Sequence, residues 1–176
     1  YSSAASDVYK RQMQLLFDGL NELLADKVVE KHFEQTRWAN IYIPGMQHYF
    51  ESLRDIYRYL STLRFHVGLL RATGTFEVNP IDLMALEVLR HFEPDVYCQI
   101  VPAKAILTVA PESRLRSEDE QKAVVEAIVN LAPERRRPWI KEIMRELFPT
   151  VQWMGGGNRY GEGFEEEWVR ELRVCA

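Results

Sequence analysis

Ser52-Leu53-Arg54-Asp55-Ile56-Tyr57-Arg58-Tyr59-Leu60-Ser61-Thr62-Leu63-Arg64-Phe65-His66-Val67-Gly68-Leu69-Leu70-Arg71 is the stretch on which the fold turns. Ser52, with Asp55 three residues on, has the spacing of a helix cap and its reciprocating acid. Leu53, Ile56, Tyr57, Leu60, Leu63, Val67 and Leu70 then form one apolar stripe at helical spacing. Arg54, Asp55, Arg58, Arg64 and Arg71 largely fill the other faces, and Gly74 ends the helix.

Working outward, the same periodicity recurs on both sides. Leu15, Leu16, Leu20, Leu23 and Leu24 define a helix within Met13 to Leu24, and a second runs from about Glu34 toward Ile43, where Pro44-Gly45 breaks it. Asn79-Pro80 opens the next, with Asn as cap and Pro in the first turn. Leu83, Met84, Leu86, Val88 and Leu89 make that helix apolar nearly all round, so it is expected to be central. Pro94 starts a short helix through Tyr97 and Ile100, and Pro102 and Pro111 bracket a brief piece holding Ile106 and Leu107. Ser117-Glu118-Asp119-Glu120 reads as a capping box for Ala123, Val124, Ala127, Ile128 and Leu131. After a turn at Pro133 to Arg137, Trp139, Ile140, Ile143, Met144 and Leu147 form another amphipathic helix, closed by Pro149. Strand signals are few: Ile41-Tyr42-Ile43 and Val151-Gln152-Trp153. The expected fold is all-α, an irregular array of seven or eight helices. It divides into a leader at 1–12, a helical domain at 13–148, and a glycine-rich loop with a C-terminal segment at 149–176, where Trp168, Leu172 and Val174 mark a last short helix or strand.

The leader stands apart. Ser2 to Gln12 reads as the in-frame translation of a sequencing-library adapter, which places the native start elsewhere. Setting it aside removes Lys10, Arg11 and Asp7, so the remaining domain is one charge more negative than the whole chain's −4. That balance argues against broad nucleic-acid binding, which wants a basic face. An apolar fraction of 47% and a charged fraction of 27% are ordinary for a globular protein. A chain this long can bury roughly 70% of its unfolded surface and needs no staples. Two cysteines, Cys98 and Cys175, make neither a disulfide framework nor a metal knuckle, and point to a reducing compartment. No apolar run approaches the roughly 18 residues of a membrane helix.

The chemistry sought is mostly missing. A phosphate-cradling loop needs glycines followed by Gly-Lys-Ser/Thr, and no lysine here follows a glycine. Gly155-Gly156-Gly157-Asn158 has the glycines without the lysine. The chain alone is therefore not expected to hydrolyse nucleotide, and no catalytic residue is assigned. His32, His48, His66 and His91 fall in no metal-ligand spacing. Glu87, Glu93 and Asp95 could supply a carboxylate pair, but capping and solvation explain them as well. Glu134-Arg135-Arg136-Arg137 is a short basic turn, and Trp38, Trp139, Trp153 and Trp168 read as core or interface anchors.

Several blocks occur in a telling order. Gln35-Thr36-Arg37-Trp38 comes first, then Tyr49 through Phe65, then Asn79 through Tyr97, then Leu147-Phe148-Pro149, and last Trp168 with Arg173-Val174-Cys175. Together they resemble the helical region that follows the Walker motifs in bacterial KAP-family P-loop ATPases, over nearly the whole chain from Met13. The resemblance implies the lid or helical region of a STAND/AAA-like NTPase. Such a parent binds ATP and Mg, often carries inserted transmembrane helices, and is in some members linked to phage exclusion. This chain lacks Walker A, Walker B and any membrane insert. By the resemblance its partner is the upstream P-loop core of the same polypeptide, with self-association or a further protein partner left open. Its location is cytoplasmic, with membrane association only through other parts of the parent. The residue carried over is Arg54, in the place of the lid arginine that reaches the terminal phosphate. Arg58, one turn on, is the secondary candidate. The bland alternative pairs Arg54 with Glu51 on an exposed helix face.

Two other readings compete. One is a stand-alone helical interaction module using Trp38, Trp139 and the Arg135–Arg137 turn. The other is a small helical enzyme using Glu87, His91 and Asp95. Helices that normally dock on a missing core would also leave apolar stripes bare, so an isolated chain is expected to be aggregation-prone or partly molten.

Overall fold

The computed structural model describes residues 2–25, 32–72, 78–108, 118–148 and 151. Among these there are eight α-helices, two 3-10 turns and no strand: α1 (Ser2–Leu24), α2 (Gln35–Tyr42), a 3-10 turn (Met46–Tyr49), α3 (Leu53–Ala72), α4 (Pro80–Phe92), α5 (Pro94–Ile100), α6 (Lys104–Leu107), α7 (Glu118–Val129), a second 3-10 turn (Glu134–Arg136) and α8 (Arg137–Leu147). The all-α array is as the periodicity indicates.

Helix starts follow local chemistry. The Glu34 carboxylate accepts from the Thr36 and Arg37 amides at the start of α2. Ser52 and Asp55 cap α3 reciprocally. The Ser52 amide donates to Asp55 Oδ2 at 2.9 Å and the Asp55 amide donates to Ser52 Oγ at 3.3 Å. Asn79 Oδ1 accepts from the Ile81 amide at 2.9 Å, and Pro80 takes the first position of α4, where its missing N–H leaves nothing unsatisfied. Ser117, the proposed cap of α7, lies outside the described residues, as do Gly74, Gln152, Trp153 and the glycine-rich loop.

α4 is the centre of the array. It packs against α2, α3, α5, α8 and the first 3-10 turn, and buries Ile81, Met84, Ala85, Val88 and Leu89. α1 lies along α3 and joins the same core through Met13, Leu16 and Leu20. Its helix runs back through the leader, where Val8 and Tyr9 are exposed. α8 brings Ile140, Ile143, Met144 and Leu147 onto α2 and α4. Gly45 makes room for it, since a Cβ there would stand 2.7 Å from Ile143 Cγ1 and 2.9 Å from the Ile41 carbonyl.

Three details differ from the sequence reading. Ile41 and Tyr42 are the end of α2 and Ile43 its cap, not a strand; the Glu34 cap and the burial of Ile41 outweigh the β-branched preference. On α3 the buried stripe is Ile56, Tyr59, Leu60, Leu63 and Val67, while Leu53 and Tyr57 face out. Tyr59 can be buried because its hydroxyl donates to the Met84 carbonyl at 3.0 Å. On α7 the buried residues are Gln121, Val125, Ile128 and Val129; Ala123, Ala127 and the following Leu131 are exposed.

Candidate functional site

Arg54 and Arg58 lie on the first two turns of α3, on the side away from the core, and both are exposed. The reciprocal cap fixes the backbone from which Arg54 projects. Arg54 makes no ion pair or side-chain hydrogen bond among the described residues. Glu51, the partner considered for it, is instead 3.4 Å from Arg135. Between and beyond the two arginines the same side of the helix carries Tyr57, Phe65 and Leu69, which are 56%, 61% and 53% exposed. α3 is thus apolar on two sides: one side is core, and the other is an open stripe of aromatic and basic residues.

Arg58 also acts on His91, at the end of α4. His91 is half-buried with its ring edge-on to Phe92. Burial holds its pKa below the usual histidine value, and the Arg58 charge adds to that, while Glu87 and Asp55 oppose it.

Beneath this surface sits a charged cluster. Glu87 is buried and is held by Arg90, three residues on. His66 Nδ1 is 3.2 Å from the Glu87 carboxylate and 2.8 Å from the Thr62 carbonyl. Arg90 Nη1 is 2.6 Å from His66 Nε2. Arg90 Nη2 also lies 2.6 Å from His66 Nδ1, so the guanidinium faces both ring nitrogens. Of the trio Glu87, His91 and Asp95, the structure brings the first two within electrostatic reach, while Asp95 lies exposed on the first turn of α5. The unforeseen members are His66 and Arg90. Only the Glu87–Arg90 spacing on an otherwise apolar helix could have signalled them.

Two further clusters are structural ties. Arg37, buried on α2, pairs with buried Asp82 on α4, donates to Asn79 Oδ1 at 3.1 Å, and donates to the Glu146 carbonyl on α8 at 3.0 Å. Around Tyr49, Arg136 pairs with buried Glu93 at 3.2 Å and lies 5.7 Å over the Tyr49 ring. Burial and the Glu93 charge push the Tyr49 hydroxyl's pKa far up. The basic turn is therefore engaged within the chain. Arg135 meets Glu51, Arg136 meets Glu93, and Arg137 Nε donates to the Ala132 carbonyl at 3.0 Å. Trp38 stacks on Tyr42 at 5.0 Å and Trp139 on His48 at 4.8 Å, so both tryptophans serve packing.

Among the described residues no three metal-ligating side chains converge, and no helix is long and apolar enough to cross a membrane. A groove of about 460 Å³ is lined by Tyr9, Gln12, Gln47, His48, Phe50 and Glu51. One of its walls is formed by the leader. No protein-family model, no curated protein and no solved structure matches the chain.

Proposed function

We propose that this chain is the lid and helical regulatory region of a KAP-type P-loop ATPase. In this reading Arg54 senses ATP held with Mg on an upstream core and passes its state to the rest of the chain. The observation that carries the reading is the condition of Arg54: exposed, uncommitted among the described residues, and projected from a helix start held by the Ser52–Asp55 cap. A sensing arginine has to be free of internal partners and to project from a fixed backbone, so that binding has only its side chain to order. A charge-assisted hydrogen bond to phosphate is worth about 1.5–3 kcal/mol, roughly ten- to a hundredfold in affinity. Arg58, one turn on, would reinforce it. Helix α3 spans the domain beside α1 and α4, so a shift at its first turn would move packed elements rather than a loop. On this reading the chain works in the cytoplasm and has no catalysis of its own.

The direct test is to recover the upstream reading frame. Gly-x-x-x-x-Gly-Lys-Ser/Thr followed by an acidic Walker B strand would support the reading. A start codon near Met13 with no such motif would contradict it. The second reading, an interaction module without nucleotide, is favoured by the open apolar stripe of Tyr57, Phe65 and Leu69.

A further inference from the structure

The outward side of α3 is more apolar than a solvated helix face needs, and its residues are symmetrically arranged. Leu53, Tyr57, Phe65 and Leu69 are large and roughly half exposed or more. With Ser61 between them they form one row at every fourth position, the kind of ridge along which helices pack. The row reads alike from either end: leucine, aromatic, serine, aromatic, leucine. On one flank Arg64 and Arg71 bond to α1, and on the other Tyr59 and His66 face α4, which leaves Ser61 at the middle of the exposed side. The Ser61 hydroxyl donates to the Tyr57 carbonyl at 2.7 Å, so this position can be covered without stranding a polar group. Contiguous apolar patches with a polar rim mark docking sites.

We infer that this face pairs with the same face of a second copy of the chain, the two α3 helices lying antiparallel across a two-fold axis at Ser61. Rows of this kind align when the helices cross at about 50°. The axis sets Ser61 against its own copy, Tyr57 against Phe65, and Leu53 against Leu69. Each large side chain then meets another, and the small one falls where the helix axes come nearest. Such self-complementarity is what a two-fold interface requires. The charges allow it. Arg54 comes opposite Gly68, where nothing lies within 4 Å of a Cβ position, so the guanidinium has room to turn outward. There it also nears the C-terminal end of the second helix, whose dipole favours a cation. Arg58 comes opposite Arg64, which is already paired with Glu22 at 2.6 Å, so it meets an ion pair and not a bare cation. The four large side chains expose roughly 400 Å² per chain for groups of this size. With Arg54, Arg58 and Ser61 added on both copies, the pair approaches the low end of the roughly 1,200–2,000 Å² buried in stable interfaces. Association in the micromolar range is expected. The inference goes beyond the reading of Arg54 as a phosphate sensor and does not depend on nucleotide.

The test is sedimentation equilibrium of the full chain across micromolar concentrations, followed by cysteine cross-linking. The chain should pass from monomer to dimer and stop there. Phe65→Lys, at an exposed position, should weaken the dimer roughly tenfold or more and leave the melting curve of the monomer unchanged. In a Cys98→Ser, Cys175→Ser background, Ser61→Cys should form a disulfide with its own copy across the axis. Leu53→Cys should not, because eight residues of helix on either side of the axis hold its two copies more than about 20 Å apart. A monomer at every concentration, or open-ended aggregation without a dimer, would overturn the inference. So would a dimer indifferent to Phe65→Lys, which would put the contact elsewhere on the chain. Cross-linking of Leu53→Cys as readily as Ser61→Cys would overturn the antiparallel pairing.

Discussion

Arg37 on α2 and Asp82 on α4, both buried, form an ion pair that also engages Asn79 and the Glu146 carbonyl of α8. Three helices thus meet at one guanidinium. Replacing Asp82 by Ala leaves Arg37 charged and buried without its counterion, and removing one partner of such a pair costs about 3–5 kcal/mol. Urea unfolding should show the Asp82→Ala midpoint falling steeply. Asp82→Asn should fall less, because it keeps an acceptor.

Packing beside that junction is equally specific. Gly45 lies under Ile143 with no space for a methyl group. Gly45→Ala is expected to destabilise by about 1–3 kcal/mol through overpacking. Against an Ile143→Ala background, which removes the crowding Cγ1, Gly45→Ala should cost less than it does in the parent chain. If the single variant melts like the parent chain, the close approach of the first 3-10 turn and α8 is wrong.

His91 supplies a pH dependence. Its folded pKa is depressed, first by burial and then by Arg58. The unfolded chain therefore binds the proton more readily. This contribution to stability is present above the unfolded histidine pKa, about 6.5, and is lost as pH falls through the lower folded value. Proton NMR should find His91 titrating below a model histidine, and Arg58→Ala should move it upward. A His91 titration unmoved by Arg58→Ala would separate the two residues.

The ends of helices were readable from sequence because their chemistry is local. Ser52 with Asp55, and Asn79 with Pro80, each act within three residues. Faces were harder. Tyr57 and Tyr59 differ little in composition terms, and only Met84, on another helix, decides which tyrosine goes inside. The buried charges were not legible at all. Arg37 finds Asp82 at a separation of 45 residues, and Glu93 finds Arg136 at 43, so each reads alone as an ordinary surface residue. Arg54 and Arg58 were singled out on a resemblance. The structure adds their exposure and the open stripe of Tyr57, Phe65 and Leu69, of which the single-stripe reading of α3 assigns Tyr57 to the core.

Tyr59 tests the buried face directly. Tyr59→Phe keeps the ring and removes the hydrogen bond to Met84, with an expected cost of about 1 kcal/mol. Tyr57→Phe, on the exposed side, should change stability by less than about 0.5 kcal/mol. Equal effects would mean that α3 is rotated from the arrangement described.

The most direct test of the central claim is nucleotide affinity in the proposed ATPase, the chain with its upstream reading frame, carrying Arg54→Ala. The expected result is a roughly ten- to hundredfold loss of ATP affinity, with reduced turnover and an unchanged melting profile for the helical region. Unchanged affinity and turnover would contradict the account, and would leave α3's open face to a partner other than nucleotide.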